Sequence, residues 1–260
     1  MLDRRAQVCR DCPGEPKTIA KVSSRAKALK ASSDAPHGVG YGAFYHQSFK
    51  RAFDSGTDIL WTAICPEFAG GNVNTWLYLT AMNRAALSVE AHIAYRGKKP
   101  AELWLFDWST PEMHHQRLCK FAALAPYLGT ASFGGADHPT LTIWNTTEEI
   151  SSGRWKNSVS LFDRRENDWA LIYSHEYAAQ LSHQTEPWTG SWGPHLETFQ
   201  EPYAGTHLMG AIDTQLRSAS APGVWSEWAR LDDVQSYIVN EELGFRPTLI
   251  QPNSDWTAVS

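Results

Sequence analysis

Glu90 lies in Leu87-Ser-Val-Glu-Ala-His-Ile-Ala-Tyr95, where large apolar residues fall at every second position. In a strand, Val89, Ala91, Ile93 and Tyr95 share one face, and Ser88, Glu90, His92 and Ala94 share the other. Glu197 lies in Gly190-Ser-Trp-Gly-Pro-His-Leu-Glu-Thr-Phe199, where His195, Glu197 and Phe199 share a face and Leu196 and Thr198 the opposite one. Two glutamates held off a core face are the groups required for general acid–base chemistry. One carboxylate takes a proton from water while the other, protonated, gives one to a leaving group. A solvated sheet face would show the same pattern, so phase alone leaves both readings open.

Other chemistries find less to work with. Asp107 follows Leu103 and Leu105 in phase at a strand end, where a turn role fits. Tyr173, His175 and Tyr177 share a face that could line a groove or cover a sheet edge. No G-x-S-x-G elbow and no phosphate-cradling glycine loop is present. Cys65 and Cys119 lack cysteine-protease signatures. Cys9 and Cys12 form a single C-x-x-C with no second pair to complete a zinc site, so no metal and no organic cofactor is expected. Whether the four cysteines pair as disulfides stays open.

Several strands must position the two glutamates. Asn74 to Thr80 puts Leu77 and Leu79 on one side and Trp76 and Tyr78 on the other. Ala101 to Trp108 puts Leu103 and Leu105 on one side and Trp104, Phe106 and Trp108 on the other. Paired as antiparallel neighbours of the Glu90 strand, these segments join their aliphatic faces into a core. Their second faces form an aromatic floor carrying a carboxylate. Further strands are expected near 40–49, 58–65, 140–145, 157–163, 168–175, 192–199, 206–213 and 233–240. Turns are expected at Gly70-Gly71-Asn72, Arg96-Gly97-Lys98, Gly134 to Asp137 and Ser152-Gly153. Glu112 to Leu128 reads as a helix or long loop, and Trp225 to Leu243 suits helix or strand. Many antiparallel strands without a βαβ rhythm predict an all-β chain, an antiparallel sandwich of jelly-roll type with a concave aromatic-lined groove.

Residues 1–36 form a different segment, basic and rich in Ala and Ser, expected to be a tail, linker or pro-segment ahead of a single β domain over 37–260. A net charge of −5 and the lack of a basic stripe argue against a nucleic-acid partner. No apolar run approaches the ~20 residues that span a bilayer. No secretory signal is visible at the N-terminus.

Taken in chain order, the segments resemble the neprosin family, the plant-type glutamic endopeptidases. The matching residues are Tyr41-Gly42-Ala43, Val89-Glu90-Ala91, Leu105-Phe106-Asp107-Trp108, Asn167-Asp168-Trp169-Ala170-Leu171, Trp192-Gly193 leading to Glu197, Thr206-His207-Leu208-Met209-Gly210, Asp233-Val234-Gln235 and Pro252-Asn253. The resemblance runs from about residue 38 to the end. It implies that Glu90 is the first catalytic glutamate and Glu197 the second. The family's Gly-Trp after Glu-Ala is His92-Ile93 here, and its short Cys-x4-Cys loop is absent. Its second glutamate follows Trp-Gly by two positions, where this chain has His195. Glu197 stands two residues further on, which in a strand keeps the same facing.

The expectation is therefore a glutamic endopeptidase-like hydrolase acting at acidic pH on peptide or protein substrates, proline-containing ones among them. Glu90 and Glu197 are catalytic. Trp76, Tyr78, His92, Trp104, Phe106, Trp108, Tyr173, His175 and His195 bind substrate. Secretion is expected on that reading. The alternative is a carbohydrate-binding or glycan-acting sandwich, because aromatic faces stack on sugars as well as on proline.

Overall fold

The computed structural model describes residues 42–45, 56–64, 74–82, 88–96, 102–109, 114–133, 135–178, 197–200, 208–230, 234–237, 246–251 and 255–259. The segment 1–36, Trp192 and His195 lie outside them. Nearly all the described residues are strand, and every pairing among them is antiparallel. Among the described residues no helix is long and apolar enough to cross a membrane.

A five-stranded sheet carries the sequence patterns around Glu90. Its strands are β3 (Asn74–Met82), β4 (Ser88–Arg96), β5 (Glu102–Asp107), β6 (His114–Lys120) and β11 (Glu197–Gln200), in the order β11-β3-β4-β5-β6. A ten-stranded sheet has the path β10-β9-β8-β2-β12-β17-β16. Its strands along that path are β10 (Asp168–Ala178), β9 (Arg154–Asp163), β8 (Ala136–Ser151), β2 (Gly56–Ile64), β12 (Leu208–Ala221), β17 (Asp255–Val259) and β16 (Arg246–Gln251). The short β7 (Leu128–Phe133) adds to β8, and β13 (Val224–Trp225) and β14 (Ala229–Arg230) add to β12. The remaining strands, β1 (Gly42–Tyr45) and β15 (Val234–Tyr237), pair with each other.

The aliphatic phase read from the sequence is the inner layer. Val89, Ala91 and Ile93 of β4 and Leu103 and Leu105 of β5 are fully buried, facing β8 and β9, which contribute Leu141, Ile143, Trp155, Val159 and Leu161. Each such aliphatic side chain removed from water contributes roughly 1.5–3 kcal/mol, which makes this layer the main cohesive force between the sheets.

Four strands, β6, β7, β16 and β17, depart from expectation, and Trp225–Leu243, which suits helix or strand, contains short strands. Residues 114–120 form a strand rather than the front of a helix, because β5 offers them a free edge. A bulge opposite Leu103 and Trp104 shifts the phase of β6, so that the consecutive residues Leu118 and Cys119 are both buried. A 3-10 helix, Phe121–Tyr127, follows, with Pro126 inside it. Within Trp225–Leu243, the described residues form short strands. The strands β7, β16 and β17 escape the alternation test, being short or rich in Gly, Ala, Ser and Thr. The expected turns at Gly135 and Gly153 take left-handed backbone, with φ of 85° and 71°.

Among the described residues Trp155 is the largest fully buried side chain, and its indole N–H has no hydrogen-bond partner there. Trp155→Ala should therefore lose about 3–5 kcal/mol in urea unfolding, from lost burial and the cavity left behind. Trp155→Phe should lose much less, since no polar contact goes with the indole. Equal losses in the two variants would show that shape at this position, not volume, limits stability.

Candidate functional site

Antiparallel register sorts the second face of the five-stranded sheet into rows, because residues directly opposite one another lie on the same face. One row runs Glu197–Thr80–Glu90–Phe106–His115 from β11 to β6. The adjoining row runs Phe199–Tyr78–His92–Trp104–Arg117. Trp76 stands opposite Ala94, which stands opposite Glu102, one row further along. Glu90 and Glu197 thus flank Thr80 from the two strands on either side of β3. At ~4.8 Å per strand their backbones are about 10 Å apart.

Glu90 is only 9% exposed and His92 is 0% exposed, so neither lies on the open floor that their phase suggests. Around His92 the rings pack on one another. The His92 and Phe106 rings stack with centroids 4.8 Å apart, and His115 lies on Phe106 at 4.0 Å and 11°. Trp104 tilts against His115 at 4.8 Å. The outer edge of this layer is Trp108, 5.9 Å from Phe106 and 43% exposed. The Trp104 indole N–H donates to Glu102 Oε2 at 3.0 Å, while Arg117 Nη1 pairs with Glu102 Oε1 at 2.8 Å. Glu102 therefore fixes both the indole plane and the guanidinium at the margin. The result is a layer of stacked rings in which, among the described residues, Trp108 is the exposed one.

His115 was not singled out from the sequence. The signal lay in His114-His115-Gln-Arg-Leu, which reads as a polar loop until β6 is known to pair with β5. The pairing then puts His115 opposite Phe106 in the Glu90 row.

Tyr173 and His175 are not part of this face. They belong to β10 of the large sheet and turn toward Asp107, on the opposite side of β5 from Phe106. Asp107 is 0% exposed and collects donors on both oxygens. Oδ1 accepts from the Ser109 backbone N–H and from Asn157 Nδ2, each at 2.9 Å. Oδ2 accepts from the Tyr173 hydroxyl at 2.6 Å and lies 3.1 Å from His175 Nδ1. The Tyr177 hydroxyl donates to Asn157 Oδ1 at 3.2 Å. The turn role expected of Asp107 is present in the Ser109 bond, and the same side chain also ties the two sheets together.

Burial alone would raise the Asp107 pKa, but its hydrogen bonds from Ser109, Tyr173 and Asn157 outweigh that and hold it below the usual carboxylate range. Burial first, and then the Asp107 charge and hydrogen bond, push the Tyr173 phenol far above its ordinary value. Ser109 Oγ also lies 3.1 Å from His175 Nδ1. Serine and aspartate thus meet the same ring nitrogen. A nucleophilic relay needs them on opposite nitrogens of the imidazole, so Asp107, His175 and Ser109 do not form a hydrolytic triad in this arrangement. Among the described residues no three His, Cys, Asp or Glu side chains converge to hold a metal ion.

The Asp107 network sets a pH dependence of stability. A carboxylate with a lowered folded pKa contributes stability that is complete above its unfolded value, about 3.9, and is lost as pH falls through the folded value. Chemical unfolding should show stability holding to about pH 4 and falling below it. Asp107→Asn should lose about 1–3 kcal/mol at neutral pH, because it misaligns buried donors, and should flatten that acidic fall. An unchanged acidic fall in the variant would assign it to other carboxylates.

No protein-family profile matches the chain, and no curated protein matches it. Solved structures with a similar course of chain include scytalido-glutamic peptidase with a peptide-based transition-state analogue, at 13% identity and a TM-score of 0.47, covering 85% of this chain and 97% of that one. SCP-B, of the Eqolisin family of peptidases, in complex with the tripeptide Ala-Ile-His, gives 12% identity, the same coverage and a TM-score of 0.47. The CBM40 of a Ruminococcus gnavus sialidase bound to α2,6-sialyllactose gives 12% identity over 80% of this chain and 95% of that chain, with a TM-score of 0.28.

Proposed function

We propose that this chain hydrolyses peptide bonds with Glu90 and Glu197 as a carboxylate pair. The observation that carries the reading is the register: Thr80 of β3 stands opposite Glu197 on one side and Glu90 on the other. The ordered resemblance to the neprosin family supports the same two residues. A water placed between them would lose a proton to the ionised carboxylate as it attacks the scissile carbonyl. The protonated partner would stabilise the tetrahedral oxygen and protonate the departing amine. This route draws on no metal and no organic cofactor.

The burial of Glu90 suits such a pair. In low dielectric two nearby carboxylates cannot both ionise cheaply, so they share one proton and titrate as a unit. Trp108, the exposed end of the layer, and the row positions Trp76, Tyr78, His92, Trp104 and Phe106 would grip an extended peptide. Aromatic surfaces of this kind suit proline-containing segments. Secretion into an acidic medium fits this chemistry. Tyr173 and His175, engaged with Asp107, would serve the site through the fold rather than by touching substrate. A glycan-acting sandwich is the second reading, favoured by the 43% exposure of Trp108.

Digestion of an unfolded proline-rich protein across the pH range separates these readings. The glutamate pair should give an optimum on the acid side, near the ~4.3 of an ordinary glutamate, with both limbs set by the pair. Glu90→Gln and Glu197→Gln should each lower kcat by roughly 10²–10⁴ while the protein stays folded. His195→Ala, run beside them, should retain activity. An optimum at or above neutrality would point to a histidine base and sink the carboxylate mechanism. Binding of oligosaccharides without cleavage at any pH would favour the glycan reading.

A further inference from the structure

We infer that Asp107 is a positioning residue of the groove: fastened to β9 and β10 on the inner face, its carboxylate closes a turn on Ser109 and so holds the exposed Trp108 indole against Phe106, beside Glu90. The functional meaning rests on reading this face as the substrate groove, while the positioning claim stands by itself.

Three observations converge on this residue. The first is where the ladders stop. β5 pairs with β4 as far as Asp107–Val89 and with β6 as far as Asp107–His114, and Trp108 and Ser109 follow as a turn. Neither strand pairing reaches Trp108, so its direction is set by other contacts. The second is the turn itself. The Ser109 backbone N–H donates to Asp107 Oδ1 at 2.9 Å. An aspartate that accepts from the N–H two residues on forms an Asx turn, which constrains the backbone of the residue between them. That residue is Trp108. The third is how both ends of the turn are held. Asp107 accepts from Asn157 of β9 at 2.9 Å and from the Tyr173 hydroxyl of β10 at 2.6 Å, and its Oδ2 lies 3.1 Å from His175 Nδ1. Ser109 Oγ lies 3.1 Å from the same ring nitrogen.

Trp108 is thus mounted between two residues that are both fastened to the large sheet. Its own ring lies on the other side, stacked 5.9 Å from Phe106 at 28° and 43% exposed. Phe106 stands directly opposite Glu90, so the indole is the next ring along the face that carries the carboxylate. A side chain that served only to join the sheets would need no bond to Ser109. Asp107 makes that bond with the same oxygen that meets Asn157. The consequence for binding is pre-organisation. An indole left to swing on an open strand end would lose that freedom again when a ligand settles on it. Fixing the backbone of one residue is worth roughly a ten-fold change in affinity. The network on the inner face of the sheet therefore sets the grip on the outer one.

Fluorine-19 NMR of the full-length protein carrying 5-fluorotryptophan tests this without relying on cleavage. Trp108→Phe identifies the Trp108 resonance. In Asp107→Ala that resonance should shift toward the position of a free indole, while that of Trp144, packed on Trp169, stays in place. For a proline-containing peptide, Asp107→Ala should raise KM about ten-fold and change kcat by less than about three-fold. Combined with Trp108→Ala, it should give no higher KM than Trp108→Ala alone, because no indole is then left to position. A Trp108 resonance that stays in place in Asp107→Ala overturns the inference. So does one that stays in place in Tyr173→Phe, which removes the hydroxyl arm alone, should the alanine variant fold poorly. KM effects that multiply in the double variant also overturn it, since Asp107 would then act on the site by another route. A resonance that moves in a protein that cleaves no peptide would instead retain the positioning and remove the peptidase reading.

Discussion

Everything at this site depends on the register of β4 between β3 and β5. Strand side chains alternate with a period of two, so the same pairing that sends Val89, Ala91 and Ile93 into the interior sends Glu90 and His92 to the opposite face. A slip by one residue would place a carboxylate among fully buried aliphatic side chains, at several kcal/mol. The aliphatic core therefore does more than hold two sheets together. It selects one alignment of three strands, and that alignment brings Glu90, Phe106 and His115 into a row with Glu197 at its far end.

The two faces of the β4–β5 pair each bury a carboxylate. Asp107 keeps its charge because Ser109, Asn157, Tyr173 and His175 surround it with donors from both sheets. Its lowered pKa keeps the anchor ionised in the mildly acidic range where a glutamate pair would work. Glu90, on the other face, is buried in a row with Phe106 and His115. Two buried carboxylates thus lie on opposite faces of one sheet, on neighbouring strands.

Much of this was legible in the sequence. The alternation in 87–95 and 101–108 gave the strands and their inward phase, and the absence of a βαβ rhythm gave the all-β sandwich. What alternation could not give was the state of the second face. Phase puts Glu90 and His92 off the aliphatic core, yet both are buried, and His92, Phe106 and His115 stack across strands. Asp107 shared its phase with Leu103 and Leu105, which already implied burial. Apart from Ser109, however, its partners come from residues 50 to 68 positions away, and no local pattern encodes them. β6 was missed because a bulge breaks its period and because His114 to Lys120 has little intrinsic strand preference.

The central claim is that Glu90 and Glu197 act on one bond. The most direct measurement is a crystal structure at acidic pH with a peptide whose scissile carbonyl is replaced by a tetrahedral hydroxyl group. The account predicts that this hydroxyl lies between the two carboxylates, within hydrogen-bond distance of both, with the peptide running over Trp108. A peptide bound elsewhere, or a hydroxyl touching neither or only one of the glutamates, would contradict it.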